Sequence, residues 1–87
     1  MDKTKAKQIF KENKKSLLHS IKLTARQGKN MCSSWIESGA YFNDDDAMRL
    51  KSVMEEAGYG VRVEISAAST FTKRGYNYIL TWTNEEE

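Results

Sequence analysis

Proline is absent from the 87 residues, and cysteine occurs once, at Cys32. Without proline, no helix in the chain carries a proline break. A lone thiol excludes an internal disulfide, which favours a reducing cytosol. No run reaches the eighteen apolar residues of a membrane span, and no apolar segment follows the N-terminus, so neither a membrane protein nor a secreted one is expected. Apolar residues make up 39% of the chain. That is below the globular average, so the core should be thin, and a homo-oligomer interface would supplement it. Also missing are an RNP-type motif, a phosphate-binding glycine loop, a zinc-ligand spacing and a G-x-S-x-G elbow. The chemistries those motifs carry have no footing here, and no cofactor is expected.

What is present is a polarised charge. Net charge is +2, with 14 Lys and Arg against 12 Asp and Glu. Residues 1–29 hold nine of the bases and two acids, a balance of +7. Residues 30–87 hold five bases and ten acids, a balance of −5. Such asymmetry marks a charged binding surface, or simply a molecular dipole.

One stretch, Asn43 to Ile65, organises the rest. Asn43 is a helix cap, and Asp44, Asp45 and Asp46 follow where the helix dipole favours carboxylates. Ala47, Leu50, Val53, Met54 and Ala57 fall on one helical face. Gly58 is the expected left-handed stop. The period then changes to two, with Val61, Val63 and Ile65 on one side and Arg62, Glu64 and Ser66 on the other.

Before this unit, residues 3–27 read as a long helix. Ala6, Ile9, Phe10, Asn13, Leu17, Ile21 and Ala25 form its stripe. Leu18 and Leu23 lie outside that stripe and either widen it or meet a second subunit. Lys3, Lys5 and Lys7 put cations at the wrong end for the dipole, so the first turns should fray. Gln27 to Asn30 is the stop. Met31 to Ile36 is a short strand, and Glu37 to Phe42 a loop whose Phe42 staples onto Ala47 or a neighbouring side chain. After the central unit, Ala67 to Gly75 is a loop. Tyr76 to Thr83 is a strand with Tyr76, Tyr78, Leu80 and Trp82 on one face, and both its faces carry apolar weight.

These elements predict one domain over 1–87, of α+β class, in the order α-β-α-β-β, ending in an acidic tail at 83–87. The last two strands should pair antiparallel, and a right-handed crossover should leave the first two parallel. Placing the last strand in the middle satisfies both, with two helices on one face of a three-stranded sheet. Leu50, Val53, Met54, Val61, Val63, Leu80 and Trp82 should form the core, joined by Ile9, Phe10, Leu17 and Ile21.

The chain resembles a recurring type of small tailed-phage accessory protein of unassigned function. The resemblance rests on Gly28-Lys29 after the charged helix, Asn43-Asp44 at the second helix, Gly58-Tyr59-Gly60-Val61, and Tyr78-Ile79-Leu80-Thr81-Trp82. It implies a genomic setting, a fold and a small factor acting on host machinery in the cytosol. It implies no catalytic residues.

Several constellations carry possible chemistry. Asp44, Asp45 and Asp46 offer oxygens to a hard cation, but neighbouring carboxylates on one turn diverge, and a helix-start role explains them better. Cys32 and His19 would serve as nucleophile and base only if brought within hydrogen-bond reach, which nothing in the sequence does. Phe71, Lys73, Arg74, Tyr76 and Tyr78 place bases beside aromatics, as single-stranded nucleic acid would require, or as an ordinary hairpin tip would show. Lys7, Lys11, Lys14, Lys15 and Lys22 lie off the apolar stripe. The expected protein is therefore a non-enzymatic binding or inhibitory factor that meets an acidic protein surface through these lysines, with Lys73 and Arg74 as a second basic point. The alternative is nucleic-acid binding by the same helix, through counterion release. Lysine is a hydrated point charge, so base-specific readout is the least suited version.

Overall fold

The fold comes from a computed structural model that describes residues 3–70 and 73–83. Its elements run α1 (Lys3–Arg26), β1 (Met31–Glu37), α2 (Asp44–Glu56), β2 (Gly60–Ser66) and β3 (Gly75–Thr81). The strand order is β1-β3-β2, and β3 pairs antiparallel with both neighbours. β1 and β2 are therefore parallel to each other and both are edges. This is the expected α+β arrangement, with the most apolar strand in the centre.

Local chemistry explains the helix ends. Asn43 and Asp46 form a reciprocal capping box: the Asp46 N–H donates to Asn43 Oδ1 at 3.0 Å, and the Asn43 N–H donates to Asp46 Oδ2 at 3.1 Å. Two otherwise orphaned amides are thereby satisfied. At the other end, the Tyr59 N–H reaches the Met54 carbonyl and the Gly58 N–H the Glu55 carbonyl. That is a Schellman closure, and Gly58 supplies its left-handed residue with φ of 105°. Gly28, at φ of 82°, ends α1 in the same way. α1 starts at Lys3 without an acidic residue in its first turn.

The register sorts the side chains. Ile36, Tyr76 and Ile65 share one row, Ser34, Tyr78 and Val63 the next, and Cys32, Leu80 and Val61 the third. This is the face beneath the helices. Its centre, with Leu17 and Ile21 of α1, Phe42, and Ala47, Leu50 and Met54 of α2, forms the buried core. The opposite face carries Met31, Trp35, Ile79 and Asn77 among polar residues. Met31 is 57% and Trp35 47% exposed. The Trp35 indole lies over Gly75, where a β-carbon would collide with it.

The core differs from the expected one in an ordered way. Leu17, Ile21, Leu50, Met54 and Leu80 are buried as expected. Val61, Val63, Trp82, Ile9 and Phe10 are only partly buried around them. Val53 is half-buried, Ala57 is exposed, and Ile65 is 49% exposed. The cause is position: β2 is an edge, so its apolar side has a neighbour on one flank only. Phe42, Ile36, Tyr76 and Tyr78 take the central places. Phe42 lies against Tyr76 edge-on at 5.8 Å and near Phe10 at 6.4 Å, and shares the buried core with Ala47 of α2.

Element ends shift slightly. β1 runs to Glu37, and β2 begins at Gly60. β3 starts at Gly75 and stops at Thr81, not Thr83, because β1 and β2 both begin opposite Thr81, at Met31 and Gly60; the Trp82 N–H still donates to the Asn30 carbonyl, one step further in the β1–β3 register. Of the expected acidic tail, Glu85, Glu86 and Glu87 lie outside the described residues, as does Phe71.

Candidate functional site

α1 is long relative to what it buries. Over 24 residues it fully buries only Leu17 and Ile21. Its N-terminal half is steadied by aromatic contacts: the Arg49 guanidinium sits 4.4 Å from the Phe10 ring centre, and Lys5 Nζ lies 5.5 Å from that of Tyr41. The remaining circumference faces solvent.

Helical spacing gathers the lysines. Lys7, Lys11, Lys14 and Lys22 follow at intervals of four, three and eight, with Leu18 filling the gap. Lys15 flanks them. At about 100° per residue, all five fall within about 100° of arc, along about 22 Å of helix. Lys14 is half-buried and the other four are exposed. Leu18, His19, Lys15 and Lys22 line an open hollow on this surface.

Pairing separates these lysines from the cations beyond residue 30. Each of the five bases beyond residue 30 has an acidic partner within 4 Å: Arg49 with Asp46, Lys51 with Glu55, Arg62 with Glu64, Lys73 with Glu37, and Arg74 with Asp44. None of Lys7, Lys11, Lys14, Lys15 and Lys22 forms an ion pair among the described residues. The unpaired Lys7, Lys11, Lys14, Lys15 and Lys22 therefore gather on one flank of α1.

Lys73 and Arg74 are not part of that row. Lys73 Nζ is 3.6 Å from Glu37, and with Trp35 and Ser66 the two line a groove of about 370 Å³ at the edge of the open face. Arg74 is anchored more firmly. Its Nη2 donates to both oxygens of Asp44, at 2.8 and 2.7 Å, and the Tyr76 hydroxyl donates to Asp44 Oδ1 at 2.6 Å. Ser38 Oγ lies 3.3 Å from the same phenol. The Tyr76 hydrogen bond, then Arg74, hold the Asp44 carboxyl below its ordinary pKa. Burial, then the Asp44 hydrogen bond, raise the Tyr76 phenol. The network ties the β2–β3 loop to the start of α2. Sequence offered no signal for it, because its members are 30 and 32 residues apart.

The other constellations do not assemble. Asp44 serves this network, Asp46 serves the cap, and Asp45 is exposed. Among the described residues, no group of three or more His, Cys, Asp and Glu is placed to hold a metal ion. Cys32 is half-buried on the covered face with Thr24 beside it, and burial raises its thiol pKa. A raised pKa disfavours the nucleophilic thiolate. His19 is exposed on the outer side of α1, facing away from that thiol. Tyr78 is wholly buried, and so unavailable for stacking on a base. No described helix is long and apolar enough to cross a membrane. Comparison with protein-family models, curated proteins and solved structures finds no match.

Proposed function

We propose that the protein is a small non-enzymatic binding or inhibitory factor that engages an acidic protein surface through the lysine flank of α1. The observation that carries this reading is the contrast in pairing: the five bases beyond residue 30 are each held by an acid, and Lys7, Lys11, Lys14, Lys15 and Lys22 are not. Unpaired lysines on long stems attract a partner and speed encounter without demanding a fixed geometry. The resemblance to tailed-phage accessory proteins supports a host or phage macromolecule as the target, in the host cytosol.

The second reading, nucleic-acid binding, draws on the linear layout of the same lysines, which suits a phosphate backbone. Capture from nuclease-treated lysate separates the two. The wild-type chain should retain a protein partner after nuclease treatment. The triple variant Lys11→Glu, Lys14→Glu, Lys15→Glu should fold normally and lose it. Release of all bound material by nuclease would favour nucleic acid. A folded triple variant that associates at the wild-type rate in low salt would reduce the flank to a solvated helix face.

A further inference from the structure

β2 is an edge strand with little to protect it. Its outer side has no neighbour in the sheet, it contains no proline, and its register with β3 runs unbroken from Gly60 to Ser66. Regular, unbulged edges invite a further strand. The residues along it are G-V-R-V-E-I-S, and their pattern has a symmetry about Val63. A two-fold axis through Val63 would align a second β2 antiparallel over its whole length, Gly60 facing Ser66. On the open face each Arg62 would then stand opposite the Glu64 of the other copy. On the helix-covered face each Val61 would stand opposite Ile65. The inner pairs are complementary, Arg62 with Glu64 in charge and Val61 with Ile65 in apolarity, and Val63 meets itself; only the terminal Gly60–Ser66 pair is neutral.

We propose that β2 pairs with β2 of a second copy of this chain, giving a dimer with one continuous six-stranded sheet. An exposed apolar side chain lies on this edge: Ile65 is 49% exposed although it is on the helix-covered face. The second copy covers it. Charge at the edge fits a copy better than a nucleic acid, because Arg62 and Glu64 cancel each other and lie 3.5 Å apart within one chain. Only the partner of the Arg62 charge changes on pairing.

The other edge has no such match. A two-fold through the middle of β1, at Ser34, would set Met31 against Glu37 and Ser33 against Trp35. In the β2-paired dimer the strand order is β1-β3-β2-β2-β3-β1. The two α1 helices then sit toward the outer ends, with five strand spacings, about 24 Å, between the β1 strands. The lysine flank remains free, so this inference does not depend on what α1 binds.

Charge reversal tests the pairing. Sedimentation equilibrium of the wild-type chain from about 1 µM to about 1 mM should show a monomer–dimer equilibrium, as expected of a small interface. Arg62→Glu sets acid against acid across the axis, and Glu64→Arg sets base against base. Each variant alone should dimerise at least about tenfold more weakly. Mixed together, they should recover wild-type affinity as a heterodimer, and the double variant Arg62→Glu, Glu64→Arg should recover it as a homodimer. A wild-type chain monomeric throughout overturns the proposal. So do single variants that dimerise like wild type, or a folded mixture that stays monomeric. Amide exchange in the wild-type chain is the readout that needs no variant. Protection at residues 60–66 should rise with concentration, and protection that rises only elsewhere also overturns the proposal.

Discussion

Tyr78 carries a buried hydroxyl at the centre of the fold. It donates to the Ala47 carbonyl at 2.7 Å and so fastens the central strand to α2. Its pKa is raised, by burial first and then by Tyr76. Tyr78→Phe should keep the ring and lose the bond, at a cost of about 0.5–1.5 kcal/mol. An unchanged urea midpoint would show that the hydroxyl contributes nothing. Asp44 makes a pH-dependent contribution. Its folded pKa is depressed, so its contribution is present above the unfolded value of about 3.9 and is lost as pH falls through the folded value. Urea midpoints taken from neutral pH into that acid range should fall more for wild type than for Asp44→Asn. Parallel curves would contradict the assignment. The two tyrosines were legible as a strand face, but their depth was not. Alternating tyrosines fit a half-buried strand as readily as a core. Their partners Asp44 and Ala47 lie 32 and 31 residues away.

Helix α2 was the most legible element, because its start and stop are written in adjacent residues. The Asn43 cap needs only Asp46 three residues on, and the Gly58 stop needs only the carbonyls just behind it. Depth along its face was less legible. Leu50 is fully buried, whereas Val53, on the same stripe, is half-buried. Leu50→Ala should therefore cost about 2–5 kcal/mol by cavity formation, and Val53→Ala clearly less. Equal shifts in the urea midpoint would mean that the face is centred elsewhere. β3 was placed correctly at the centre from its two apolar faces, but its end was not. The ladder ends at Thr81 because Met31 and Gly60, the first residues of its two neighbours, both face it, a limit that no local pattern announces.

At the scale of the molecule, two surfaces differ in how they should answer to salt. The α1 flank is an array of unpaired cations. Its association rate with an acidic partner should drop steeply as ionic strength rises from about 0.05 to 0.5 M. The β2 edge presents balanced charges around an apolar centre, so its self-association should change little over the same range. A dimer as salt-sensitive as the α1 encounter would argue that lysines, not β2, hold the copies together. Sequence alone determined the element order, the helix caps, the central strand and the lysine row, because each depends on residues within a turn or two of one another. The tertiary structure alone decided which aromatics form the core, that Arg74 is anchored by Asp44 and Tyr76, and how much of the apolar side of the β2 edge stays uncovered. Those outcomes depend on which distant segments become neighbours, and local periodicity contains no distance between segments.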